Sequence, residues 1–153
     1  MTRILLLNGP NLASLGDREP EVYGAVTLAE IEAAVRDRAA TLGIEVRCEQ
    51  TNHEGAMVDI LESERGRSAG CIVNPGGLTH TSVVLADALR AFAAPVIEVH
   101  LSNILARESF RRVSLSAEAA VAVISGFGLQ GYVLAVEGLA KLLEDPSTTG
   151  STA

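Results

Sequence analysis

Apolar positions fall in blocks along the chain, and the blocks differ in period. Ile4-Leu5-Leu6-Leu7 is wholly apolar and is stopped by Asn8, Gly9, Pro10 and Asn11. A short run without alternation predicts a strand covered on both faces, which delivers polar groups to its C-terminal edge. Thr27-Leu28-Ala29-Glu30 has capping-box spacing, and apolar residues at helical spacing follow as far as Leu42, where Gly43 ends the helix. Ile44 to Glu49 carries the β-branched content of a second strand, closed by Gln50-Thr51-Asn52-His53 before a helical pattern with Met57, Ile60 and Leu61. Cys71-Ile72-Val73 predicts a third strand stopping at Asn74-Pro75-Gly76-Gly77, and Thr79 to Ser82 offer cap-forming residues for a helix through about Ala93. Pro95 breaks the chain there. Val96 to Val99 predicts a fourth strand ending at His100, Val121 to Ser125 a fifth ending at Gly126, and Leu129 to Leu143 a final helix.

Five strands separated by helices predict a parallel sheet with right-handed crossovers, most simply a flavodoxin-like, three-layer α/β sandwich. The pattern leaves the strand order open. The 153 residues are 48% apolar, enough for one well-filled core, so residues 1–145 read as a single domain. From Pro146 to Ala153 there is too little apolar surface to offset ordering entropy, and this tail is expected to be disordered.

Charge and cysteine content narrow the function classes. A net charge of -7 argues against a nucleic-acid surface, and no basic cluster suits a membrane-binding helix. Cys48 and Cys71 lie in strands without metal or C-x-x-C spacing, so free thiols and a reducing cytoplasm are expected. No charged-then-apolar leader precedes Ile4, and no apolar run approaches the ~18 residues of a membrane span.

With the strands parallel, the residues after each apolar run meet on one rim: Asn8, Asn11, Asn52, His53, Asn74, His100 and Ser102, with His80 nearby. Arg107, Arg111 and Arg112 follow the His100 strand end, and Arg18 lies on the first loop. In an acidic chain these suggest a local cationic pocket for a small anion. No histidine pair has the i, i+4 spacing of a helical zinc site, and Ser14, Ser82 and Ser102 lack a nucleophile elbow. Gly126-Phe127-Gly128-Leu129-Gln130-Gly131 matches G-x-G-x-x-G, but only one helix follows it, so its glycines are expected to serve helix–sheet packing. What remains is Tyr, His, Arg and Asn with neither metal nor cofactor. That set suits a base beside a carbonyl, an acid for a leaving hydroxyl and neutral donors for an enolate. Tyr23 is a poor base at its reference pKa of about 10 unless a cation such as Arg18 favours the phenolate.

Five stretches in order carry a family resemblance: Leu7-Asn8-Gly9-Pro10-Asn11-Leu12, Gly16 to Gly24, Asn52-His53-Glu54-Gly55, Asn74-Pro75-Gly76 with Thr79-His80-Thr81-Ser82, and Glu98 to Asn103. Together they resemble type II 3-dehydroquinate dehydratase from about Ile4 to Leu143. The resemblance implies a dodecamer of four trimers. It also implies dehydration of 3-dehydroquinate to 3-dehydroshikimate in the shikimate pathway, by anti elimination through an enolate and without cofactor. By motif position, Tyr23 would be the base at C2, Arg18 would lower its pKa with help from Arg107, and His100 would protonate the departing C1 hydroxyl. Asn11 would hold a water at the enolate, Asn74 with the backbone and hydroxyl of Ser102 would bind the carboxylate, and Leu101 would also contact the substrate. His80 and Arg111 would contact ring hydroxyls, Asp87 would reach a neighbouring subunit's site, and Glu98 would orient His100. The last role suits the spacing, since residues two apart on a strand share a face. The Gly16 to Gly24 loop would close as a lid.

The chain departs from the family pattern at Ala13, Ser14, Gly77, Leu78, Ala86 and Leu105, positions that bear on the pocket wall and the subunit contact. None removes a proton-transfer residue. A divergent paralogue acting on a related cyclic hydroxy acid, and a catalytically silent binding homologue, stay open as alternatives.

Overall fold

A computed structural model describes residues 1–17, 19–145 and 147, without the side chains of Pro20 and Tyr23. The expectations for Arg18, for the Tyr23 side chain and for the 146–153 tail apart from Ser147 therefore lie outside the described residues.

Strands β1 (Thr2–Asn8), β2 (Ile44–Gln50), β3 (Cys71–Asn74), β4 (Val96–His100) and β5 (Ala122–Ser125) form one sheet in the order β2-β1-β3-β4-β5. Every pairing is parallel. This is the doubly wound order whose crossover reverses between β1 and β3, where ligands collect at the strands' C-terminal ends. Helices α2 (Leu28–Thr41) and α5 (Leu129–Glu144) cover one face, and α3 (Glu54–Glu64) and α4 (Val83–Ala91) the other. The short α1 (Pro20–Tyr23) lies in the first loop.

The unbroken apolar run of β1 follows from its central place. Ile4 and Leu6 pack into the α2–α5 layer, and Leu5 and Leu7 into the α3–α4 layer, all four inaccessible to solvent. Each such side chain contributes ~1.5–3 kcal/mol on burial, so polar alternation there would cost a layer its core. The capping box at the head of α2 is present, with Thr27 Oγ1 accepting from the Glu30 N–H and Glu30 accepting from the Thr27 N–H. Of the candidate cap residues 79–82, Ser82 alone caps α4, accepting from the Leu85 N–H at 2.8 Å. Thr79 is turned to the site described below.

Two loops meet above β1 and β3. The Gly9 N–H donates to the Asn74 carbonyl at 2.8 Å, and a Cβ on Gly9 would lie 2.7 Å from the Pro75 carbonyl oxygen. Only glycine allows this approach, which brings Asn11 and Asn74 to the same cleft. Both cysteines are free thiols, and burial pushes Cys48 up to about 11 and Cys71 higher still, so neither is nucleophilic at neutral pH. Among the described residues no helix is long and apolar enough to cross a membrane.

Candidate active site

A cleft at the C-terminal edge is lined by Asn11, Asn74, His80, His100, Leu101, Ser102, Arg107 and Arg111, with Pro10, Leu12, Gly76, Gly77 and Ile104 completing its wall. It encloses about 620 Å³ including its open mouth, which suits a small polar molecule. Eight of the residues singled out in the sequence thus converge. Asn8, Asn52, His53 and Arg112, expected on the same rim, do not line it. Asn8 is buried behind the cleft, and His53 is an exposed residue at the head of α3 with no side-chain cap bond. Asn52 has a supporting role: its Oδ1 accepts the Asn11 backbone N–H at 3.0 Å and Gln50 Nε2 at 3.1 Å. Asn11 adopts the left-handed conformation (φ 71°), tolerated by Asn better than by most residues, and that bond helps hold it.

His100 ends β4, and Glu98 lies two residues earlier on the same face of the strand. Glu98 Oε2 accepts from His100 Nε2 at 2.9 Å, with both residues buried. An ionised carboxylate only accepts, so Nε2 carries a proton and Nδ1 is the ring nitrogen left for the cleft. The carboxylate is enclosed by three hydroxyls. Thr79 donates to Oε1 at 3.1 Å, Ser114 to Oε2 at 2.9 Å, and Ser116 to Oε1. Burial alone would push the Glu98 carboxyl up. The hydrogen bonds from His100, Ser116 and Ser114 outweigh it and hold the group below the usual carboxylate range.

The segment that supplies these hydroxyls also fixes the second histidine. His80 Nδ1 bonds the Val113 carbonyl at 2.7 Å, and since a carbonyl cannot donate, the Nδ1 proton is on His80. The Leu115 N–H returns to the Thr79 carbonyl at 2.7 Å, closing residues 113–116 over residues 79–80. Sequence reasoning missed Thr79, Ser114 and Ser116, because they come from irregular segments with no periodicity to place them.

Two cations also line the cleft. Arg111 Nε donates to Glu108 at 2.7 Å, Arg107 Nε lies 3.7 Å from the same carboxylate, and Arg107 donates to Ser102 Oγ at 3.4 Å. Asp87 is elsewhere: on α4, exposed, 3.5 Å from Arg90 and beside a groove between α3 and α4. Of the departures, Gly77 lines the cleft, Leu78 packs against the α3–α4 core, Ala86 is buried and Leu105 is exposed. Among the described residues no group of His, Cys, Asp and Glu could hold a metal ion.

Comparison with known proteins gives the family and the fold. Residues 2–140 match the family Dehydroquinase class II. A 3-dehydroquinate dehydratase from Corynebacterium glutamicum (strain R) is 54% identical over 140 residues, spanning 92% of this chain and 97% of that protein. The crystal structure of a type II dehydroquinase from Propionibacterium acnes aligns with a TM-score of 0.88 at 40% identity, covering 92% of this chain and 97% of that one. One from Butyrivibrio crossotus DSM 2876 aligns with a TM-score of 0.88 at 38% identity, covering 90% and 97%. With the family match, the relatives and the fold in agreement along nearly the whole chain, it belongs to the class II dehydroquinase family.

Proposed function

We propose that this chain is a hydro-lyase that converts 3-dehydroquinate to 3-dehydroshikimate and water. The observation that carries the reading is the buried Glu98–His100 pair opening onto a cleft that also presents an amide, a hydroxyl and two guanidinium groups. The names of the relatives support the same substrate.

The reaction needs a proton removed from C2 and a hydroxide lost from C1 as water. Tyr23, as phenolate, takes the C2 proton, and the electron pair moves into the carbonyl as an enolate. The enolate then expels the C1 oxygen, to which His100 gives its proton, so that water leaves and the enone forms. Glu98 steadies the ring and its positive charge. Arg18 from the first loop and Arg107 from beyond the β4 end favour the Tyr23 phenolate, roles assigned by motif position. Asn11 holds the water that stabilises the enolate. Asn74 and Ser102 bind the carboxylate, His80 and Arg111 the ring hydroxyls, and Leu101 lines the substrate site. Residues 1–145 act as one catalytic domain. Asp87 completes a neighbouring copy's cleft, which requires a homo-oligomer, a dodecamer of four trimers in this reading, working in the cytoplasm.

The test is the ultraviolet absorbance of the conjugated enone after mixing protein with 3-dehydroquinate, for the native chain and for Tyr23→Phe and His100→Ala. Turnover by the native protein, lost in both folded variants and indifferent to chelator, is the expected result. A folded native protein without turnover would overturn the assignment.

A further inference from the structure

The glycine-rich stretch 126–131 takes no part in the cleft, yet it leads directly into Tyr132. That side chain heads the largest ones with no solvent exposure, buried beneath the sheet at the start of α5. A Cβ at Gly131 would lie 3.3 Å from Ile124 Cγ2 and 3.6 Å from Val99 Cγ1, so the helix packs closely on the sheet here and a side chain would press on Ile124. The close approach carries the Tyr132 hydroxyl to the C-terminal ends of β1 and β3, where it meets two asparagines.

The directions of these bonds follow from one backbone group. The Gly76 N–H donates to Asn74 Oδ1 at 3.1 Å. A backbone N–H cannot accept, so the Asn74 amide has its oxygen toward Gly76 and its nitrogen toward Tyr132, where Nδ2 donates to the phenol oxygen at 2.8 Å. The phenol in turn donates to Asn8 Oδ1 at 2.7 Å. Burial pushes the Tyr132 phenol well above its ordinary range, so it is a neutral donor and acceptor at neutral pH. An Asn amide has two N–H groups, and Tyr132 engages only one of those on Asn74. Asn74 itself lines the cleft.

We propose that Tyr132 is a positioning residue that locks Asn74 as an N–H donor toward the substrate's carboxylate, and so sets the preference of the cleft for an anion at that point. The proposal rests on the reading of Asn74 as a carboxylate ligand. It also gives the glycine motif a purpose: Gly131 lets the helix deliver a phenol to the back of the site. Without the phenol oxygen, the Asn74 nitrogen loses its one bond among the described residues, and the Gly76 N–H alone holds the amide through its oxygen, so the N–H donor is less firmly presented to a carboxylate.

The experiment compares binding of quinic acid and its methyl ester by titration calorimetry in the native chain, Tyr132→Phe, Asn74→Ala and the double variant, alongside kcat and KM for 3-dehydroquinate. Phe keeps the ring packing, and a melting curve checks the fold. The native protein is expected to favour the free acid. Tyr132→Phe should lower that preference by about 5- to 20-fold and raise KM with little change in kcat, the range expected when one hydrogen-bonded partner is lost. In the Asn74→Ala background the same change should have less than about a 2-fold effect, because the two residues act as one unit. Asn8→Ala, which releases the phenol hydrogen, should give a smaller loss and serves if Tyr132→Phe does not fold. Equal loss in both backgrounds, or an unchanged preference in Tyr132→Phe, would overturn the proposal. If the native protein binds quinic acid with this preference but does not turn over 3-dehydroquinate, the reaction falls and the positioning role stands. If it shows no preference for the acid, the carboxylate reading and the positioning role fall together.

Discussion

Two carboxylates in this chain, Glu64 and Glu98, are entirely removed from solvent, and they are held in opposite ways. Glu64 ends α3 under the N-terminal side of the sheet, where Arg3 reaches it at 2.9 Å, Arg47 pairs with its other oxygen and Ser68 donates at 2.5 Å. Glu98 stands at the C-terminal side among three hydroxyls and one imidazole. Burial pushes both carboxyls up, and in both the partners win and hold the group low. The partners differ in kind. Arginine is a cation at every accessible pH, so the Glu64 cluster is fixed in charge and serves to tie β1 and β2 to α3. Hydroxyls carry no net charge and an imidazole can gain or lose one, so the Glu98 site can change its charge without losing its geometry. A buried carboxylate is therefore no marker of function by itself. What sets Glu98 apart, and makes it the proposed chemical one, is an imidazole partner that opens onto a cleft.

Substitutions that treat the two sites alike should separate them. The largest effect is expected from His100→Ala, which removes the proposed acid: kcat should fall by about 10²- to 10⁴-fold while chemical denaturation shows the fold retained. At the other site, Glu64→Gln should cost about 2–4 kcal/mol in urea titrations, below the fully buried range because both arginines reach water, with turnover per folded molecule unchanged. Acid should expose the same contrast. Both carboxyls are held below their unfolded values, so the stability they add is complete above the ordinary carboxylate range and is lost as pH falls through the folded pKa. Glu64→Gln should accordingly flatten the decline in stability below about pH 4, measured by denaturation at stepped pH. The smallest effect belongs to the hydroxyl cage. Ser116→Ala should lower kcat by about 2- to 10-fold and move one limb of the pH–rate profile, with Ser116→Thr restoring both.

The sequence made some of this legible and hid the rest for physical reasons. β1 could be read because a strand covered on both faces has no polar alternation, and the head of α2 because Thr27 and Glu30 satisfy each other locally. The Glu98–His100 pair was legible for a similar reason, since the pleat of a strand places residues two apart on one face. The strand order was not, because parallel crossovers of similar length do not state which edge they return to. Ser114 and Ser116 reach Glu98 from a segment 16 and 18 residues away, and Thr79 from 19. Nothing in their local pattern distinguishes them from cap or loop residues, and Thr79 reads as a candidate cap for this reason. Tyr132 was hidden most deeply, as its partner Asn8 is 124 residues away and its glycine-rich approach imitates a nucleotide motif.

The most direct test of the central contrast is turnover of 3-dehydroquinate by Glu98→Gln and Glu64→Gln, measured side by side per folded molecule from enone absorbance. The account predicts a loss of at least about 10-fold for Glu98→Gln, where an amide replaces the charge that orients and steadies His100, and native turnover for Glu64→Gln. Native turnover by Glu98→Gln, or an equal loss in both, would contradict it.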